Sequence, residues 1–515
     1  MPFIQNLLEK SKNLQFNRNI SAKRGHEVQL KTLKKLIQKA QFTEFGKAHN
    51  FEQILDSENP HESFKQAIAA GDYLKMLPWW ERSKNGEPNI TWPGKVNYFA
   101  VSSGTTDNSS KYIPVTKEMQ RAIQRGSLRQ IVSIARTDVP KDHIVKNWLM
   151  MGGSTELEYN GIFYSGDLSG ITTGRIPLMF QRISKPEADI KQERDWNEKI
   201  QRMTREAVNW DVGIIAGVPA WVQMLFENIL DHYKISNIHE IWPNLEVYIH
   251  GGVSLKPYKK NIDNLLGRPI KYFETYLASE GFMAFQHREN ASGMRLLFRN
   301  GVYFEFIPFN DKSFNGNGDL VGNPKALSLL EVEEKTEYAL LISTCSGAWR
   351  YLIGDVIRFT NLKNCEIEIT GRTKHFLSLC GEHLSVDNMN HALELTNQEL
   401  GSDLIEFTVS GIPHPDGYFA HHWYIGYDGN ALDSLAVKNT LDKHLKMLND
   451  DYRVERSAAL RDIFVDLVPN HLFIAWMEKN GHLGAQNKFP RVMKNEKLAD
   501  WKSFVGQNST SVNNS

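Results

Sequence analysis

Cysteine is scarce in this chain of 515 residues: Cys345, Cys365 and Cys380 are all it has. An odd number without regular spacing gives no disulfide framework, so a packed core must hold the fold and a reducing cytoplasm is the expected setting. Neither sign of charge prevails, since 60 Lys and Arg balance 60 Asp and Glu. Such a balance argues against a general nucleic-acid binder or a protein that coats membranes. Long apolar runs are missing too. The longest, Val212 to Phe226, is too short for a bilayer and is interrupted by Gly213, Gly217 and Pro219. Met1 to Phe16 mixes Lys and Glu into its apolar positions and does not read as a secretory signal. The chain has no Gly-x-Ser-x-Gly elbow and no His-Glu-x-x-His. Cys380-x-x-His383 lacks the second ligand pair of a zinc site, and Gly316-Asn317-Gly318 does not complete a dinucleotide fingerprint.

What remains is an ordinary globular composition, 41% hydrophobic and 23% charged, in a chain long enough for two or more domains. Glu27 to Gln41 places Leu33, Leu36, Ile37 and Ala40 on one helical face with lysines opposite. From there to about residue 370, short apolar strands alternate with helical stretches, for example Gly213 to Val218, Leu245 to Ile249, Val302 to Ile307 and Tyr338 to Ser343. The alternation predicts an α/β architecture with buried strands. Beyond about residue 400 the pattern predicts a compact α+β domain. Its strands are Phe407 to Gly411 and His422 to Tyr427, around the turn Pro413 to Gly417, followed by a helix from Ala431 to Leu448. Two further strands are expected at Ile463 to Val468 and His471 to Met477, before a polar, disordered tail from 506 to 515.

Four constellations bear on chemistry. The strand Tyr98 to Val101 runs into Ser102-Ser103-Gly104-Thr105-Thr106, with Lys111 and Pro114 beyond and a helix opening at the N-cap Thr116. Hydroxyls, backbone N–H groups and an ammonium at a strand-to-helix turn suit a polyphosphate, although the same letters also make a polar surface loop. Ser109 stands where a Walker A loop needs its second glycine. Gly251, Gly252 and Val253 follow the strand ending at Ile249, and glycines there admit a flat ligand or make a tight turn. Tyr276, Ser279 and Glu280 offer a ring, a hydroxyl and a carboxylate for Mg2+, or else a capped helix start. In Trp349-Arg350-Tyr351-Leu352-Ile353-Gly354-Asp355, the terminal Asp suits a ribose diol or a β-turn. Arg121, Arg125 and Arg129 form a basic stripe on the helix after the loop.

Taken in order, these elements resemble the auxin-responsive acyl acid–amido synthetases, a family of the acyl-adenylate-forming, firefly luciferase-like superfamily. That family carries a Ser-Ser-Gly-Thr-Thr…Lys…Pro phosphate loop, a Tyr-x-x-Ser-Glu element and a Tyr-Arg-x-Gly-Asp element, matched by Ser102 to Pro114, Tyr276 to Glu280 and Tyr351 to Asp355. The resemblance extends to Thr43-Glu44-Phe45-Gly46-Lys47 and to Gln486-Asn487-Lys488-Phe489-Pro490-Arg491, so it covers nearly the whole chain. It departs at Leu352, where many members have arginine; Arg350 is the nearest substitute. The length is more like a bacterial-type member than the plant enzymes.

The resemblance implies a large, multi-subdomain N-terminal α/β domain over 1–372, binding ATP and acyl group, and a small mobile α+β lid over 373–505. It implies an ATP- and Mg2+-dependent ligase that adenylates a carboxylic acid and passes the acyl group to an amine, such as an amino acid. A thiol acceptor (coenzyme A or a carrier protein) and a catalytically silent nucleotide-binding relative are the alternatives. Ser102, Ser103, Gly104, Thr105, Thr106 and Lys111 are then expected at the phosphates, and Glu280 at Mg2+. Gly251, Gly252, Val253 and Tyr276 are expected at the adenine and Asp355 at the ribose, with Ser279 and Arg372 also at the ATP and the pair Gly371-Arg372 at the hinge. Arg125 or Arg129 is expected to meet the acid, Lys374 to act as hinge, and Lys488 to be the mobile catalytic lysine.

Overall fold

The computed structural model describes residues 21–102, 111–174, 178–252, 254–256, 258–315, 318–374, 376–377, 379–382, 384–404, 406–427, 432–480, 489–493 and 495–509. These fall into two compact units, one of 21–102 with 111–374 and one lying within 376–509.

In the first unit, α1 (Ala22–Ala40) starts at Ser21, whose hydroxyl accepts from the Arg24 N–H, and it buries Leu33, Leu36, Ile37 and Ala40. α2 (Tyr73–Lys84) is capped by Asp72. β1 (Tyr98–Ser102) pairs antiparallel with β2 (Lys111–Pro114) in a four-stranded sheet, which sets Ser102 opposite Lys111. α3 (Lys117–Ile134) opens on the Thr116 hydroxyl as the sequence predicts, accepting from the Met119 N–H at 3.1 Å.

Eleven of the described strands form the main sheet. Its parallel part includes β3 (Asn147–Met150), β4 (Val212–Gly217), β5 (Val247–Gly251) and β6 (Lys271–Ala278), and α4 (Pro219–Tyr233) connects β4 to β5. Ile214, Val247, Ile249 and Phe273 from these strands pack with Ile131 and Ile134 of α3. Strands buried in this way read as near-continuous apolar runs, which is why the sequence exposes them. The antiparallel part holds β7 (Gly281–Phe285), β8 (Val302–Pro308), β9 (Glu337–Thr344), β10 (Tyr351–Asn361) and β11 (Glu366–Arg372).

The second unit contains α5 (Val386–Leu400), then the hairpin of β12 (Phe407–Pro413) and β13 (Phe419–Gly426). α6 (Ser434–Leu448), capped by Asp433, leads to β14 (Leu460–Val468), which lies parallel to β13. The strand expected at His471 to Met477 is instead a helix, α7 (His471–Lys479). Strand alternation would put Leu472, Ile474 and Trp476 on one face, but Leu472, Phe473 and Trp476 are buried while Ile474 is 59% exposed, a helical stripe. That stripe faces Phe489 and Trp501. The expected tail is contradicted over 506–509, where α8 (Asn495–Ser509) continues, anchored by buried Trp501 and Val505. The Asn508 amide donates to the Phe504 carbonyl at 2.7 Å, and 510–515 lie outside the described residues. Among the described residues no helix is long and apolar enough to cross a membrane.

Candidate active site

The parallel strands end on one edge of the sheet, where ligands of α/β folds bind. At the end of β5, a Cβ on Gly251 would lie 2.4 Å from the Thr275 carbonyl oxygen of the neighbouring strand, so that strand pairing requires glycine there. Gly252 has φ +82°, a conformation that glycine adopts without strain. Beside them, buried His250 is held down to about 4 by burial.

Farther along the sheet, Tyr276 of β6 donates its hydroxyl to Asp355 Oδ2. Asp355 is the register partner of Arg372 across β10 and β11, and the Arg372 Nε donates to Asp355 Oδ1 at 2.8 Å. Burial pushes the Tyr276 phenol well above its ordinary range, and Asp355 adds to that. For Arg372 burial works against the charge, but Asp355, Tyr276 and Glu280 outweigh it and its pKa is raised. Gly354, at φ +93°, lets its carbonyl accept from the Thr373 N–H at 2.8 Å, which fixes the end of β11 beside Asp355.

Ser279 and Glu280 form the tight turn between β6 and β7, with Ala278 paired to Gly281; they do not start a helix. Glu280 is 8% exposed, and burial raises its pKa although Lys111 and Arg372 oppose this. Lys111, at the head of β2, is pushed down to about 8 by burial, with Glu280 acting the other way. Its ammonium lies 5.7 Å from the centre of the Tyr73 ring. The site therefore has a cation and a carboxylate at one end, and a second carboxylate held by a tyrosine and an arginine at the other. That pattern matches a triphosphate with its metal and a ribose.

Other expectations fare differently. Arg350 does not replace the arginine missing at Leu352: it is 2% exposed, its Nε bonds Glu305 at 3.0 Å, and its Nη1 donates to the carbonyls of Ile68 at 2.6 Å and Lys65 at 3.1 Å. It is a packing residue, buried with its Nε and Nη1 already engaged. On α3, Arg125 is exposed, while half-buried Arg129 donates to the Phe298 carbonyl at 2.9 Å. Lys374 pairs with Asp319 at 3.0 Å and Asp72 at 3.7 Å, all within the first unit. Ser103, Gly104, Thr105, Thr106, Val253 and Lys488 lie outside the described residues. Sequence reasoning gave no role to Tyr351, whose phenol is pushed well above its ordinary range by burial and by the negative charge of Glu280, or to Tyr73 under Lys111.

A large α/β unit followed by a smaller α+β unit, with this site on the larger, is the architecture of acyl-adenylate-forming enzymes. Similarity bears this out at the level of fold. The structure of "AtGH3.15 acyl acid amido synthetase in complex with 2,4-DB" superposes with a TM-score of 0.58 at 16% identity, covering 98% of this chain and 95% of that one. A 2-hydroxyisobutyryl-CoA ligase with 2-HIB-AMP and CoA also gives 0.58 at 13% identity, covering 95% and 94%. The sequence matches the GH3 family N-terminal domain over residues 19–199, the GH3 family central domain over 295–372 and the GH3 family C-terminal domain over 387–497. This chain belongs to the GH3 family, the auxin-responsive acyl acid–amido synthetases.

Among its relatives, indole-3-acetic acid-amido synthetase GH3.4 of Arabidopsis thaliana is 27% identical over 49% of this chain and 45% of the relative. Jasmonoyl--L-amino acid synthetase JAR4 of Nicotiana attenuata is 22% identical over 82% of this chain and 83% of its own length. In its matches to GH3.4 and GH3.2, the chain spans under half the relative's length, 45% and 43%.

Proposed function

We propose that this chain is an ATP-dependent ligase that adenylates a carboxylic acid and transfers the acyl group from AMP to an amine, with amino acids the leading acceptors, forming an amide. The observation that carries this reading is the convergence of Lys111, Glu280, Tyr276, Asp355 and Arg372 from distant stretches of chain into one site. Attack of a carboxylate on the α-phosphate spreads negative charge over phosphate oxygens, so preorganised donors matter more than an acid or a base. In this reading Lys111, with Ser102, Ser103, Gly104, Thr105 and Thr106, holds the β- and γ-phosphates and then the leaving pyrophosphate. Gly251, Gly252, Val253, Tyr276 and Ser279 line the base, and Asp355, braced by Arg372, takes the ribose diol.

Glu280 suits Mg2+: it is a buried carboxylate facing the cationic end of the site. A bound Mg2+ would neutralise charge developing on the phosphates. The smaller unit acts as the lid, turning near Gly371 and Arg372 with Lys374 as pivot, and Lys488 reaches the α-phosphate when the lid closes. Arg125 or Arg129 is the proposed contact for the acid. The three cysteines are free and buried, in keeping with a cytoplasmic setting.

A thiol acceptor is the second reading, favoured by the equally good fold match to a CoA ligase. Incubating the enzyme with an acid, ATP and either an amino acid or coenzyme A, then identifying products by mass, separates the two. An amide without thioester supports the first reading, and thioester alone overturns it.

A further inference from the structure

Lys374 is the last described residue of the larger unit before the smaller one begins, and the chain is held there in three ways. The Thr373 N–H donates to the Gly354 carbonyl at 2.8 Å, and Thr373 is 5% exposed. A turn in the connection between β8 and β9 is seated against the same backbone. At Gly318, with φ +78°, a Cβ would lie 1.8 Å from the Thr373 carbonyl oxygen and 2.9 Å from the Lys374 Cα, so only glycine fits. The turn is braced from within: Phe314 pairs with Leu320, the Asp319 N–H donates to Asn315 Oδ1 at 2.9 Å, and the Asn315 N–H donates to the Asp319 carbonyl at 2.9 Å. From this turn Asp319 reaches the Lys374 ammonium at 3.0 Å, and Asp72 approaches the same ammonium at 3.7 Å. Asp72 is itself fixed, because its other oxygen caps α2 by accepting the Leu74 N–H at 3.1 Å.

Two carboxylates on two fixed elements thus grip one ammonium at the point where the chain passes to the smaller unit. The grip is not a core ion pair: the side chains of Lys374, Asp319 and Asp72 are 25%, 46% and 36% exposed. Pairs of this kind are weak and screened by salt, and they break without stranding a buried charge, unlike Arg350–Glu305. That strength suits a contact that must open and re-form in every cycle. We propose that Asp319 and Asp72 form a releasable clamp on Lys374 that sets how long the smaller unit dwells before it turns. The proposal rests on the lid reading of the preceding subsection.

Dyes on Phe42→Cys or Val208→Cys in the larger unit, each paired with Met447→Cys in the smaller, report the motion; all three sites are exposed and the native cysteines are buried. Single-molecule energy transfer in the full chain, free and with a non-hydrolysable ATP analogue, then reads the dwell times. Without further substitution, one dwell time is expected to shorten about 2–5-fold as NaCl is raised to about 1 M, where the Debye length is about 3 Å. Asp319→Asn, which keeps the size of the side chain and the backbone bonds of the turn, is expected to show a shortened dwell at low salt already. Lys374→Gln should remove the salt response, and adding Asp319→Asn to it should change nothing further. Unaltered dwell times in Asp319→Asn at low salt, or effects of the two substitutions that simply multiply, would overturn the clamp and leave the lid standing. A single inter-unit distance under all these conditions, with both label pairs, would overturn the lid reading and the clamp together.

Discussion

At the scale of single residues, the site is two buried carboxylates with different keepers. Asp355 is held by Tyr276 and by the positive charge of Arg372, whereas Glu280 faces Lys111. Asp355→Ala should therefore raise the KM for ATP and leave the order of preference among acids unchanged, which steady-state kinetics on several acids will check. Lys488→Ala should slow adenylation by about 100-fold or more with little change in ATP binding. Loss of binding with unchanged turnover would give Lys488 a different role. The ion pair Arg350–Glu305 belongs to the core: both side chains are nearly inaccessible. Glu305→Ala strands a buried guanidinium and should cost about 3–5 kcal/mol in urea unfolding. The sequence displayed Lys111, Glu280 and Asp355 because each sits in a short local pattern. It hid the Arg350–Glu305 pair because its partners are far apart in the chain and only the sheet order unites them.

At the scale of elements, strands were legible where both faces are buried, since an apolar run such as Val212–Gly217 has little else to be. The helix α7 was not. Six apolar residues in a row at 472–477 conceal whether the period is 2 or 3.6, and only the exposure of Ile474 reveals a helix. Phe473→Ala should then cost about 3–5 kcal/mol, while Ile474→Asp should stay within about 0.5 kcal/mol; denaturant midpoints of the two variants will decide. A strand would make Ile474→Asp the costly one. Within the second unit, Glu382 accepts from the N–H groups of Leu379, Cys380 and Gly381 at 2.9, 3.0 and 3.2 Å and faces His421 Nε2 at 2.9 Å. Burial opposes its charge, yet His421 and these N–H groups hold its carboxyl down to about 2, against an ordinary 4.5. A lowered carboxyl stabilises the fold fully above about pH 4.5, and that contribution is lost as the pH falls towards 2. Glu382→Gln should flatten the acid limb of stability against pH in that window, as seen in denaturant midpoints of the full chain.

At the scale of the whole molecule, the described residues of the proposed nucleotide site lie on the larger unit, and the smaller unit is proposed as a lid. The family and the two-part architecture were legible from ordered motifs spread along the chain. The identity of the acid was not, because an acyl pocket is defined by shape among side chains with no fixed spacing. Exposed Arg125, and Arg129 bound to the Phe298 carbonyl, leave the choice of acid to experiment. The central claim is a reversible adenylation step, and acid-dependent exchange of labelled pyrophosphate into ATP tests it most directly. Across a panel of aryl, indole and aliphatic acids, with no amine present, the account predicts exchange with at least one acid and none without acid. ATP binding without exchange for any acid of the panel would contradict the account and favour a silent nucleotide-binding relative.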